Sequence, residues 1–117
     1  MHYLAPGDFA KIYSTAPLYA SGIDGKGQNI AIVGRTNIFL SDVQVFRIAF
    51  GLPVNEPQII LDGPNPADLG GSEAEADQDV QWSGAVAPRA TINFVFLPAP
   101  TAPTCRRSTS WTTTSRQ

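Results

Sequence analysis

The 117 residues include one cysteine, Cys105, and one histidine, His2. A lone cysteine excludes a disulfide within the chain. With the only histidine at the opposite end, a zinc site of the usual Cys and His spacing is excluded too. A Ser-His-Asp triad needs a well-held imidazole, which the second residue of a chain does not offer. Charge is also sparse, at 15% of residues, with 8 Lys plus Arg against 10 Asp plus Glu. A net charge of -2 provides no electrostatic attraction for nucleic acid or an anionic membrane. No apolar run nears the roughly 20 residues that cross a bilayer. The N-terminus shows no basic region followed by an apolar stretch, as a secretion signal would. Phosphate-cradling loops are missing as well: Gly25-Lys26-Gly27 precedes its strand, whereas such loops follow a strand and open a helix.

What remains is a hydrophobic fraction of 43%, enough for the core of one small domain. The charge is unevenly placed. Residues 1–98 hold all ten acidic residues and five basic ones, a net of -5, while residues 99–117 hold three arginines and no acid. From Thr101 onward, nine of 17 residues are Ser or Thr, and there is no Val, Ile, Leu or Phe. Such a stretch cannot bury enough apolar area to offset its ordering entropy. Residues 99–117 are therefore expected to be a disordered tail, and residues 1–98 the folded part.

Within residues 1–98, strand and helix signals alternate. Asp8 precedes a short helical pattern at Phe9–Ser14. Asn29–Gly34 (NIAIVG) is an apolar run bounded by turn residues, expected as a buried strand. Ser41 and Asp42 are expected to open a helix that Gly51 ends. Pro57–Leu61 is a second strand, Ser72–Ala87 a longer helix, and Thr91–Leu97 a third strand. This order predicts a parallel α/β sheet joined by right-handed crossovers. An open edge bearing the apolar Thr91–Leu97 predicts poor solubility or dimerisation. Asp62, after the second strand, stands either in a ligand crevice or at the start of the DGPNP turn.

The long helix carries the most chemistry. At 100° per residue, Glu75, Asp79, Trp82 and Val86 fall within about 60° of one another. Glu73, Ala74, Asp77, Gln81 and Gly84 fall on the opposite side, which is expected to face solvent. Two carboxylates then share the face that Trp82 and Val86 would bury. Such a pair either serves as a general-base couple with divergent pKa values or simply complements the helix dipole. The spacing leaves both readings open.

Glu75-Ala-Asp-Gln-Asp79, followed by Val-Gln-Trp-Ser-Gly-Ala-Val-Ala-Pro88, resembles the catalytic helix of the sedolisins, or serine-carboxyl peptidases. That family's pattern is Glu, any residue, an acid, usually Leu, then Asp, ending in Gly-Ala-hydrophobic-Ala-Pro; here Gln78 replaces the Leu. Leu4-Ala-Pro-Gly-Asp8 with Ile12-Tyr13, and Gly25 through Val33, resemble the start of the family's catalytic domain. Leu40-Ser-Asp-Val43 through Phe46 to Phe50-Gly-Leu-Pro53 agrees as well. The similarity runs through residues 3–97.

The resemblance implies a subtilisin-like three-layer fold with a parallel sheet, present as an N-terminal fragment. It implies a serine-type endopeptidase working in acid on peptide or protein substrates. In that family the counterpart of Glu75 takes the proton from a serine hydroxyl, and the counterpart of Asp79 orients that base. The logic is that of the Ser-His-Asp triad with a carboxylate in place of the imidazole. Subtilisins carry their catalytic Asp just after the first strand, and some sedolisins a Glu; here that position is Gly34. None of the chain's eight serines lies in the family's Gly-Thr-Ser setting. The oxyanion Asp and the calcium loop of the family have no counterpart either, so no cofactor is expected in this chain and the isolated chain is expected to be inactive. The tail is expected to arise from a frameshift or misplaced gene boundary, and the full-length family is secreted. The rival reading is a non-catalytic binding or interaction module. A receiver-like signalling domain is disfavoured by the lack of a clustered acidic pocket at the first strand's end and of a suitable lysine.

Overall fold

The computed structural model describes residues 3–63 and 72–96. These form α1 (Pro6–Ile12), α2 (Ala16–Ala20), β1 (Asn29–Gly34), α3 (Leu40–Ala49), β2 (Gln58–Leu61), α4 (Glu73–Val86) and β3 (Thr91–Phe96). The expected tail at 99–117 lies outside the described residues, as does the DGPNP turn beyond Gly63. The α/β class holds, with all three strands parallel.

The strand order is β1-β3-β2, so β3 is central and β1 and β2 are the edges. This corrects the expectation that the apolar third strand is left on an open edge. Its alternation explains the placement. Ile92, Phe94 and Phe96 are buried on one face, where Phe94 meets Ile32 of β1 and Ile59 of β2 in register. Val43 of α3 and Ala76 and Val80 of α4 complete the same core, so both crossover helices lie on one face of the sheet.

That arrangement corrects the expected handedness. From β1 to β2 the chain steps across the sheet one way, and from β2 to β3 it steps back. With both helices on one face, the two crossovers have opposite hands and one is left-handed, against the usual preference. The preference arises because a twisted strand feeds a helix back onto the sheet on one side. Here Val43 of α3 shares one core with Ala76 and Val80 of α4, and α3 packs on α4. The described residues therefore form two layers.

Helix ends follow local chemistry. The Asp8 carboxylate accepts the Ala5 N–H at 3.1 Å, so Asp8 caps α1 from within its first turn and the helix starts at Pro6. Likewise α3 starts at Leu40 without a side-chain cap, placing Ser41 and Asp42 in its first turn. Gly51 stops α3 as expected: its φ is 65°, and Leu52 N–H returns to the Arg47 carbonyl at 2.9 Å. The short α2 was not legible from periodicity, although Pro17 in its first turn is a start signal.

Gly34 ends β1 against the core. A Cβ there would lie 2.4 Å from Cζ and 2.8 Å from Cε2 of Phe94, which is fully buried. Gly34→Ala should therefore cost about 1–3 kcal/mol, measured by urea unfolding, because a close-packed core has no slack for a methyl group. Adding Phe94→Leu should recover part of that loss. If Gly34→Ala is neutral, Phe94 is not fixed over the strand.

Candidate active site

The N-termini of α3 and α4 follow the C-terminal ends of β1 and β2, so both helix starts gather at the edge of the sheet where open α/β folds bind ligands. Five carboxylates stand on the first two turns of these helices: Asp42, Glu73, Glu75, Asp77 and Asp79.

Glu75 and Asp79 occupy one stripe of α4 with Trp82 and Val86, as the spacing required. That stripe does not face the core. Glu75, Asp79 and Val86 are exposed and Trp82 is half-buried. The buried residues of α4 are Ala76, Val80, Gly84 and Ala85. Small side chains let α4 lie close to the sheet, with a Cβ on Gly84 only 3.9 Å from Ile92. A tryptophan on that side would hold the helix away. Trp82 is instead held at the surface between Phe9 of α1 and Phe46 of α3, at ring-centre separations of 5.9 and 6.2 Å. The expectation that Trp82 and Val86 mark the buried face, with Glu73, Asp77 and Gly84 in solvent, is therefore reversed.

The exposure matters chemically. Glu75 and Asp79 make no hydrogen bond or ion pair with any described residue, and the one ion pair among those residues joins Arg89 to Asp24 at 3.1 Å. Their carboxylates are one helical turn apart and open to a reactant arriving from outside the described residues.

The opposite flank of α4 carries a group that sequence reasoning assigned to water. Carboxylate oxygens of Asp42, Glu73 and Asp77 lie within 4.8 Å of one another. Asp77 is half-buried, and its Oδ1 is buried with no hydrogen-bond partner among the described residues. Burial, and then the charge of Asp42, raise the Asp77 pKa above its ordinary value of 3.8. The available signal was topological: two helix starts following neighbouring strands bring their first-turn acids together.

A pH dependence follows. Folded Asp77 holds its proton more tightly than the unfolded chain does. From about pH 3.8 up to the raised value the folded state carries more protons, so this group's contribution to stability falls as pH rises through that window. Asp77→Asn should raise Tm at pH 7 by about 2–5 °C, a shift equivalent to a kcal/mol or less in a domain of this size. The gain should vanish below about pH 3.8, where Asp77 is protonated in both states. A scanning calorimetry series from pH 3 to 7 measures it.

The far end of α4 is fixed by polar contacts. Tyr19 of α2 donates its hydroxyl proton to the Val86 carbonyl at 2.6 Å. Arg47 of α3 is buried, and its guanidinium donates to the carbonyls of Pro53 at 2.7 Å, Gly84 at 3.1 Å and Pro88 at 2.8 Å. These contacts set the axis of α4, and with it the position of Glu75 and Asp79.

Comparison of the chain with protein-family models, with curated proteins and with solved structures gave no match.

Proposed function

We propose that residues 3–97 are the first part of a serine-carboxyl peptidase domain of the sedolisin kind, carrying the base half of its catalytic site. The observation that carries this reading is the Glu75–Asp79 pair, exposed, one turn apart and unengaged by described residues, in a segment that resembles the family's catalytic helix. Glu75 acts as general base toward a serine hydroxyl supplied from outside residues 3–97. Asp79, one turn along α4, orients the Glu75 carboxyl once the serine-bearing residues complete the site. A carboxylate base with an ordinary pKa near 4.3 stays ionised in mild acid, where an imidazole of pKa near 6.5 is protonated, so the reaction class is peptide hydrolysis at acidic pH.

Phe94 adds a constraint of this chain's own. Its ring fills the space that a side chain at position 34 would need, so a third acid at the end of β1 does not fit beside it. The proton relay on these residues is limited to Glu75 and Asp79.

The second reading is a binding module that keeps the sheet without the chemistry. Sequencing the DNA around codons 97–105 and translating every frame downstream separates the two. A family-like continuation with Gly-Thr-Ser is expected. A confirmed stop after codon 117 with no such continuation in any frame overturns the peptidase reading.

A further inference from the structure

The two edges of the sheet differ in their protection. The β2 edge is four residues long and is preceded by Pro57, which has no N–H to offer a further strand. The β1 edge is six residues long and holds no proline and no charge, only Asn-Ile-Ala-Ile-Val-Gly. It pairs with β3 on one side and with no described strand on the other. Its outward residue Val33 is 60% exposed, beside a face of the sheet on which no described helix packs. A six-residue apolar edge without charge or proline is a template for another strand.

We propose that the 117-residue chain self-associates through β1, two copies pairing antiparallel across a two-fold axis to make one six-stranded sheet. The pairing is self-complementary. Centred on Ile32, it sets Val33 of each copy opposite Ala31 of the other, Gly34 opposite Ile30, and Arg35 opposite Asn29. Side chains on the same face meet, and no like charges stand opposite one another. The residues outside the described ones offer a poorer match. Residues 64–71 read PNPADLGG and residues 97–100 read LPAP, both interrupted by proline, and residues 101–117 have no aliphatic side chain larger than alanine to set against Ile32 and Val33. The inference does not rest on the peptidase reading, since it uses only the edge and its sequence.

Sedimentation equilibrium on the full chain from about 5 to 500 µM tests it, a range suited to an interface below standard size. The expected result is twice the chain mass at the upper concentrations. Val33→Lys, with unchanged circular dichroism, should weaken association at least about tenfold by placing a charge on the edge. Gln58→Lys, on the exposed part of β2, should leave association unchanged. Hydrogen exchange on the unmodified chain needs no variant to fold: amide protection across residues 29–34 should rise with concentration. A monomer at every concentration overturns the proposal, as does association relieved by Gln58→Lys but not by Val33→Lys. Protection of 29–34 that is already complete in the monomer overturns it as well, because another segment of the chain then covers the edge.

Discussion

Arg47→Ala should destabilise the fold by about 3–5 kcal/mol, a large part of the total stability of a domain this small. The side chain is buried and makes no ion pair; its partners are three main-chain carbonyls from two separate stretches of chain. Removing it loses three charge-assisted hydrogen bonds and leaves the Gly84 and Pro53 carbonyls without that donor. The Pro88 carbonyl keeps a second donor, Nδ2 of Asn55 at 3.2 Å. Burial lowers the pKa of the guanidinium below its ordinary value. Arg47→Lys should fail to restore stability, since a single ammonium cannot span the positions that the planar fork reaches. Gly84→Ala should act on the same contact, because its Cβ would lie 2.8 Å from Nη1 of Arg47. Urea unfolding of the three variants measures the effect. A cost below about 1 kcal/mol for Arg47→Ala would show that α4 is held by apolar packing alone.

Glu75→Gln should lower kcat/KM for peptide hydrolysis by about 10³–10⁴-fold in a polypeptide that joins residues 3–97 to its serine-bearing continuation. The substitution keeps size and hydrogen bonding but removes the group that accepts the serine proton. Asp79→Asn should cost less, about 10²–10³-fold, because the base remains and only its orientation and charge environment change. The two losses should not add, since both residues serve a single proton transfer. Asp79→Asn should lower kcat with little change in KM, a split that a purely structural role for Asp79 would not produce. Both side chains are exposed on α4, so neither substitution should alter the unfolding midpoint.

The sequence was informative where one local signal decided the outcome. Asn29–Gly34 is a strand with the expected bounds, because an apolar β-branched run between turn residues has few other uses. Gly51 ends α3 because the left-handed conformation there suits glycine. Strand order was not legible, since the choice of β3 as the central strand depends on Phe94 meeting both Ile32 and Ile59, which are far apart in the chain. The facing of α4 was misjudged for a related reason. Periodicity correctly groups Glu75, Asp79, Trp82 and Val86, but assigning that stripe to the core gives size more weight than fit. Alanine and glycine make the close approach to the sheet, and the tryptophan finds its partners on α1 and α3. For the candidate site, the helix that carries it and the spacing of its carboxylates were legible, while its exposure and the facing cluster of Asp42, Glu73 and Asp77 were not. Those depend on how two helices pack, which no single stretch of sequence records.

The claim that Glu75 and Asp79 are half of a hydrolytic site is tested most directly by casein hydrolysis at about pH 4, near the ordinary carboxylate pKa. The 117-residue chain is compared with residues 1–97 joined to the continuation read from the downstream DNA. No turnover is expected from the 117-residue chain, and turnover at pH 4 that declines toward pH 7 is expected from the joined protein. A joined protein that folds and carries Gly-Thr-Ser yet leaves casein intact across that range would contradict the account.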